Sequence, residues 1–432
     1  MRLNPEIQKY AWLEFSMQRV IIMPVVLCLI FYISAQSPNY AESISFTATA
    51  ILILLLGISG GHKAANSVLD EVNNNTWDFQ RLSPASPMSL TLGKLIGSTL
   101  YNWYGAAMLL AVYIYFSMTI IPAYYVLCNV VLIIASALIC HSAALLASLQ
   151  ALQTKISGRG RIQSIGAHII GAVLGWNFAS NIRIKNFDNI QTINWYGQEY
   201  SNYDFATFFS VITLLWVVGG VYWMMRSQLR MRTGPWFWMA FVIFIMFFNA
   251  GFNIPLAGSG VMPWPLSSYI AGMCLLYGMV FLEPWGGLHY RRLLDSWKAK
   301  DRKNFLNLFP RWFATFILAA IMGVLSLFQF NDSTPSLAVM ASFCFAVRDI
   351  ALLHYCKLLP NSRRAHAAAL FYLFVLYALI PALLLAMKDK DTIALFWLIP
   401  TPDHIMKSFI SSLVQAILFA VLAFQRWNKY WR

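Results

Sequence analysis

The sequence predicts an all-α, polytopic membrane protein of about 12 transmembrane helices. Three observations carry this: a charge-poor composition, a succession of apolar runs of spanning length, and a one-sided distribution of bases. Of the 432 residues, 59% are hydrophobic and 11% are charged, with a mean hydropathy of +0.60. Soluble domains are about 25% charged, so a water-soluble fold of this size lacks the polar residues to cover its surface. The 16 Trp, 20 Tyr and 31 Phe often sit at the ends of apolar runs, as in Trp236-Phe237-Trp238, Trp264 and Trp427 to Trp431. There an amphipathic ring lies at headgroup level.

Apolar runs of about 17–20 residues or more read as membrane helices. They fall near 20–36, 43–60, 95–118, 124–147, 164–180, 205–224, 236–252, 266–282, 312–330, 336–352, 367–387 and 404–425. The fifth is short, and the tenth runs into Arg348-Asp349. With the N-terminus inside, 26 of the 31 Lys and Arg fall on inner segments. That bias is what the positive-inside rule requires, and one missed span would scramble it downstream. Both termini are therefore expected in the cytoplasm. The formal charge of +14 reads as topology with some attraction to anionic inner-leaflet lipid, not as a nucleic-acid interface.

The first run is expected to stay in the mature chain. Its polar lead is long, carries Glu6 and Glu14, and Ser34-Ala35-Gln36 is a poor cleavage site. Before it, Asn4-Pro5-Glu6 reads as a helix start with cap, first-turn proline and acid. Ile7, Tyr10, Leu13 and Met17 follow at helical spacing, which predicts an interfacial amphipathic helix. Leu288 to Arg311 repeats the theme, with Leu293, Leu294, Trp297, Phe305 and Leu308 among many bases. The six cysteines (28, 128, 140, 274, 344 and 356) form no CxxC pair and read as small apolar packing residues.

The most informative stretch, 69–94, follows span two: Glu71, Asn75, Trp77, Asp78, Arg81, Leu82, Pro84, Ser86-Pro87 and Gly93-Lys94. Asn75 is expected to cap a short helix with Asp78 at its third position. Pro84 stops that helix, and Ser86-Pro87 restarts one that becomes span three. The outcome is a short polar helix between two spans, with its acids, Arg81 and an exposed Trp77 facing the cytoplasm. From the residues alone, it reads as a handle for a cytoplasmic partner or as a solvated loop.

The segment resembles the coupling helix of the type-2 family of ABC-transporter permeases. Arg81-Leu82-Ser83-Pro84, Ser86-Pro87 and Gly93-Lys94 match that family's pattern in order and spacing. The likeness covers roughly residues 1–120, and the N-terminal interfacial helix matches the family's connecting helix. It implies a permease subunit of an ATP-driven exporter in a bacterial inner membrane, bound to a cytoplasmic ATP-binding subunit. ATP and Mg would then sit on that partner and no cofactor in this chain. It further implies that Glu71, Trp77, Asp78, Arg81, Leu82 and Pro84 meet the ATPase. Pro87, Gly93, Lys94 and Gly97 shape the turn into span three, with the glycines allowing close helix packing.

A second copy is expected at 347–366, where Arg348-Asp349 opens a helical stretch ending at Pro360 before Arg363-Arg364. These four charged residues are the candidate second contact. The chain then divides into a first transmembrane unit, 1–235, spans seven and eight at 236–287, and a shorter unit, 288–432. Roughly eight spans thus precede four, against the family's usual six. Either one chain completes a pore or a second copy of the chain is needed.

Gly93-Lys94 is no phosphate loop, because Met88 and Leu95 break the GxxxxGK[ST] pattern, so the chain is not expected to hydrolyse ATP itself. Two other readings compete. An ion-coupled secondary transporter would bury ionisable groups in its spans, whereas Asp349, Asp403 and Lys407 are expected at span ends. His141 and His168 read as hydrogen-bonded packing residues. An integral-membrane enzyme acting on lipid-linked sugars would place paired acids in an outer loop, which 181–204 does not offer. Loops 181–204 and 253–265 read as surface loops or as cap-like pieces at an outer mouth. Ser, Asn, Gly and aromatics in the spans suit a lipid-like, glycan or amphiphilic substrate, and equally a dry bundle.

Overall fold

The computed structural model describes residues 4–154, 192–252, 255–256, 260–283, 286–330, 332–358, 365–387 and 389–430. Predicted span five, residues 181–191 of loop 181–204, and Arg363 and Arg364 lie outside them. The chain separates into two compact units. The first holds Met1–Asn194 and Gln198–Thr233, and the second Trp195–Gly197 and Gly234–Arg432. Spans seven and eight therefore cluster with the second unit. The boundary between the units falls between predicted spans six and seven, close to the end of the expected first unit at 235.

In the first unit, α1 (Pro5–Glu14) leads into α2 (Met17–Ser34), and α3 runs from Tyr40 to Asn73. A short α4 (Trp77–Leu82) follows. Next come α5 (Pro87–Gly97) and α6 (Leu100–Ser117), bent 54° from one another, then α7 (Ala123–Thr154) and α8 (Asn202–Gln228). Strands β1 (Thr192–Trp195) and β2 (Gln198–Ser201) form a hairpin. Tyr196 and Gly197, both at positive φ, make the left-handed turn that two-residue hairpins favour.

The second unit holds α9 (Trp236–Ala250), the short strands β3 (Pro255–Leu256) and β4 (Gly260–Val261), and α10 (Trp264–Leu282). After α11 (Gly287–Lys298) and α12 (Arg302–Asn307) come α13 (Arg311–Leu327) and α14 (Ser333–Lys357). It ends with α15 (Ala365–Ala386), α16 (Lys390–Ile393) and α17 (Pro402–Tyr430).

Among the described residues, eight helices are long and apolar enough to cross a membrane: α2, α3, α7, α8, α10, α14, α15 and α17. The bent pair α5–α6 makes a ninth if it is one span, and α9 and α13 are shorter apolar helices. Every predicted span except 164–180 falls on one of these. The figure of twelve thus depends on that range and on two helices of 15 and 17 residues. Ile21, Val25 and Leu29 on α2, and Val414, Leu418 and Phe424 on α17, are exposed. Helices this apolar on their outer faces need lipid as solvent. The chain is an all-α integral membrane protein.

Within α3, Ile53–Gly60 is a π-helical stretch. Such widening turns carbonyls away from the regular ladder, and side chains of two neighbouring helices take three in a row. Asn102 Nδ2 donates to Leu55 O (2.6 Å), His141 Nε2 to Leu56 O (2.7 Å), and Cys140 Sγ to Gly57 O (3.2 Å). His141 is thus the hydrogen-bonded packing residue that its apolar setting suggests. Gly60 is required here, because a Cβ would run into the His141 ring.

Candidate functional site

The stretch singled out in the sequence folds around one carboxylate. Glu71, on the last turn of α3, is 8% exposed. Its Oε2 lies 2.5 Å from Lys94 Nζ on α5, and its Oε1 accepts from Lys9 Nζ on α1 (2.9 Å) and Gln80 Nε2 on α4 (2.7 Å). Gln80 Nε2 also donates to Glu6 Oε1 (2.9 Å), and Lys94 Nζ to Ser67 O (3.1 Å). Two lysines and two glutamates leave the cluster neutral, as burial of charge demands. One acid therefore ties α1, α3, α4 and α5 together.

Local chemistry fixes each element. Asn4 caps α1 by accepting from Glu6 N (3.1 Å), while its Nδ2 donates to Ser89 O (2.7 Å) on α5. Ser86 caps α5 through Ser89 N (3.1 Å), with Pro87 in the first turn. Asn75 does not cap α4 as expected. It sits at φ 58° just past the end of α3, in the left-handed position where asparagine substitutes for glycine. Thr76 takes the cap position of α4, and its hydroxyl turns back to Glu71 O (3.1 Å).

The two glycines of the Gly93-Lys94 and Gly97 pattern meet α1. A Cβ on Gly97 would lie 2.9 Å from Tyr10 Cδ2 and 3.3 Å from Ile7 Cα, and one on Gly93 would strike the Glu6 side chain. The expected close helix packing is present, and its partner is the N-terminal helix. Two ion pairs hold α1 antiparallel to the end of α3: Lys9 to Glu71 (2.9 Å) and Glu14 to Lys63 (2.8 Å). Burial alone would lower the Lys9 pKa. The hydrogen bond and charge of Glu71, with the charge of Glu6, outweigh it and raise the group above its ordinary 10.5. Tyr10 is raised as well, by burial first and then by the Glu71 and Glu6 charges.

Trp77 corrects an expectation. It is not an exposed handle but 6% exposed, packed among Val68, Leu90, Leu95, Leu145, Leu149 and Val221. The Lys94 ammonium stands 5.5 Å from its ring centroid. An indole on a six-residue helix buries more apolar area than any neighbour on it, so it turns inward and anchors α4. What α4 presents outward is Asp78, Phe79 and Leu82, the last two 74% and 84% exposed. Arg81 is paired with Asp78 at 3.1 Å. Pro84 follows the helix end at Leu82. Between α4 and the ends of α7 and α8 lies a recess of about 290 Å³, lined by Val72, Asn75, Trp77, Asp78, Arg81, Leu152 and Gln228.

The candidate second contact is different in kind. Arg348 and Asp349 are not on a separate helix but within α14, eight or more residues before its end, and are 0% and 2% exposed. Arg348 Nε donates to Asp349 Oδ1 (2.9 Å) and its NH1 to Gln415 Oε1 (2.7 Å) on α17. Asp349 Oδ2 accepts from Tyr277 on α10 (2.7 Å) and Tyr377 on α15 (2.6 Å). The guanidinium lies between the rings of Phe345 and Tyr377, 4.7 and 4.8 Å from their centroids. Three polar groups from three other helices, with the Phe345 ring, close this pair off from any outside partner.

The sequence reading missed Glu6, Lys9 and Gln80 in the first cluster, and Tyr277, Tyr377 and Gln415 in the second. Glu6 and Lys9 at i, i+3 on an amphipathic helix were a signal, since the polar face of that helix needs somewhere to go. Tyr277, Tyr377 and Gln415 lie 28 to 72 residues from their partners and carry none. Gln80 is only nine residues from Glu71, but no local pattern marks it as that carboxylate's donor. No family model, no curated protein and no solved structure matches the chain.

Proposed function

We propose that this chain is the membrane-spanning permease subunit of an ABC-type exporter, driven by ATP hydrolysed on a separate cytoplasmic subunit. The observation that carries the reading is the fixation of α4 through Glu71. A helix that presents Asp78, Phe79 and Leu82 outward, with Arg81 half-buried beside Asp78, is bonded inward to α1, α3 and α5 at once. A push on α4 is then transmitted to two spans and to the N-terminal helix together. The substrate class we propose is lipid-like, glycan or amphiphilic. With two units in one chain, one copy supplies both sets of spans.

The test is purification of the full chain from its host in mild detergent, with identification of what co-elutes and an ATPase assay. A stoichiometric nucleotide-binding subunit with vanadate-sensitive hydrolysis supports the proposal, and its ratio to the chain tests the one-copy reading. Asp78→Lys and Arg81→Glu should weaken that association while leaving folding intact. Full association in both variants sinks the coupling assignment.

A second reading rests on Asp349. An acid buried within a membrane helix is by default a functional group, and in an ion-coupled transporter it would carry the coupling ion. Transport by the purified chain alone, abolished by a protonophore or by sodium removal and indifferent to ATP, would favour that reading over the first.

A further inference from the structure

The two amphipathic segments that look alike in the sequence use their charges in opposite ways. In α1 and the spans it meets, the bases are occupied: Lys9 by Glu71, Arg19 and Lys63 both by Glu14. In the α11–α12 segment, Arg291, Arg292, Lys298, Lys300, Arg302 and Lys303 are all exposed, and none forms an ion pair among the described residues. Only two carboxylates, Asp295 and Asp301, stand among these six bases.

The segment is a built elbow. Asp301 caps α12 by accepting from Asn304 N (3.1 Å), Asp301 N donates back to Ser296 O (3.1 Å), and Asn304 Nδ2 donates to Ser296 Oγ (2.8 Å). Lys300 makes the corner at φ 55°. Along α11 the apolar stripe is Tyr290, Leu293, Leu294 and Trp297. Tyr290 turns inward to His354 (2.5 Å), while Leu294 and Trp297 stay 44% and 66% exposed. Trp297, Phe305, Phe309 and Phe313 then form a chain of ring contacts, 5.1, 5.8 and 5.7 Å between centroids, leading into α13. Leu282 ends one apolar helix and Arg311 begins the next, so the elbow lies where the chain leaves and re-enters the membrane.

We infer that this elbow is a docking surface for anionic phospholipid headgroups, with Leu294 and Trp297 seated at the acyl boundary and the six bases on the phosphates. Unpaired bases flanking an exposed Trp–Leu edge suit an anionic bilayer surface, and long basic side chains reach headgroups while their stems cover apolar surface. The inference is independent of the permease reading.

The experiment is limited trypsinolysis of the full-length chain in nanodiscs of phosphatidylcholine, with or without phosphatidylglycerol. Cleavage after Lys298, Lys300, Arg302 and Lys303 is followed by mass spectrometry, with Arg230 and Arg232 as the internal reference. Phosphatidylglycerol should slow elbow cleavage at least about tenfold, given roughly fivefold per base at an anionic surface, and high salt should remove most of that protection. Arg291→Gln/Arg292→Gln/Lys298→Gln should lose most of it at the remaining sites, with unchanged helicity. Equal cleavage in both lipids overturns the inference. So does protection that appears only with a co-purified protein, which would make the elbow a protein-docking surface.

Discussion

Lys94 Nζ lies 2.5 Å from Glu71 Oε2, and this pair joins the two helices that flank α4. Lys94 has no solvent exposure, yet every donor direction of its ammonium points at protein: Glu71, the Ser67 carbonyl and the face of Trp77. A lysine in a Gly-Lys dipeptide at the start of a span thus acts as the bolt between α3 and α5.

Removing one end of that bolt should cost far more than removing both. Lys94→Met leaves Glu71 with Lys9 and Gln80, and Glu71→Gln leaves an unpaired buried ammonium. Breaking one partner of a buried pair typically costs about 3–5 kcal/mol, whereas an apolar replacement of the whole pair is often close to neutral. Thermal unfolding in detergent should therefore show Glu71→Gln as the worst variant, with Glu71→Leu/Lys94→Met recovering much of the loss. Additive losses in that cycle would mean the two residues do not interact.

Gly97→Val should release α1. The added side chain meets Tyr10 and the backbone of Ile7, and backbone cannot swing aside as a flexible side-chain tip can. Overpacking of this kind costs about 1–3 kcal/mol. A cysteine introduced at Ile7 should label faster in the Gly97→Val background, while Gly57→Ala, where a Cβ meets nothing within 4 Å, should label at the parent rate.

The pH dependence of the α1 clamp follows from Lys9. Its folded pKa is raised above 10.5, so the folded state holds the proton more tightly than the unfolded chain. The contribution is then complete below pH 10.5 and is lost as pH rises through the higher folded value. The melting temperature of the parent minus that of Lys9→Met should stay level from neutral pH to about 10, then shrink. A difference that instead grew above pH 10.5 would refute the assignment.

Span positions were legible because lipid leaves a twenty-residue apolar signature that needs no partner. Helix starts at Asn4 and Ser86 were legible because capping is local. Trp77 was misplaced because a helix of six residues has no periodicity from which to read its buried face. Arg348-Asp349 was expected at the inner end of a span because charge in an apolar run looks like a boundary. Its solvation comes instead from Tyr277, Tyr377 and Gln415, up to 72 residues away along the chain.

That pair also separates the two functional readings. As a strut, it is replaceable: Asp349→Asn should strand the Arg348 charge and cost about 3–5 kcal/mol, while Arg348→Met/Asp349→Leu should restore much of the stability and keep transport. Tyr277→Phe and Tyr377→Phe, each removing one hydrogen bond to a carboxylate, should cost about 1.5–3 kcal/mol apiece. As an ion-carrying group, Asp349 is not replaceable, and the double variant should fold well yet fail to transport. The carboxylate accepts from two tyrosines and the guanidinium, which leaves both of its oxygens engaged. On the permease reading, the expected outcome is therefore a double variant that unfolds near the parent temperature and still exports when the co-purified ATP-binding subunit and ATP are supplied. Measured on one reconstituted preparation, melting temperature and ATP-dependent export together decide it.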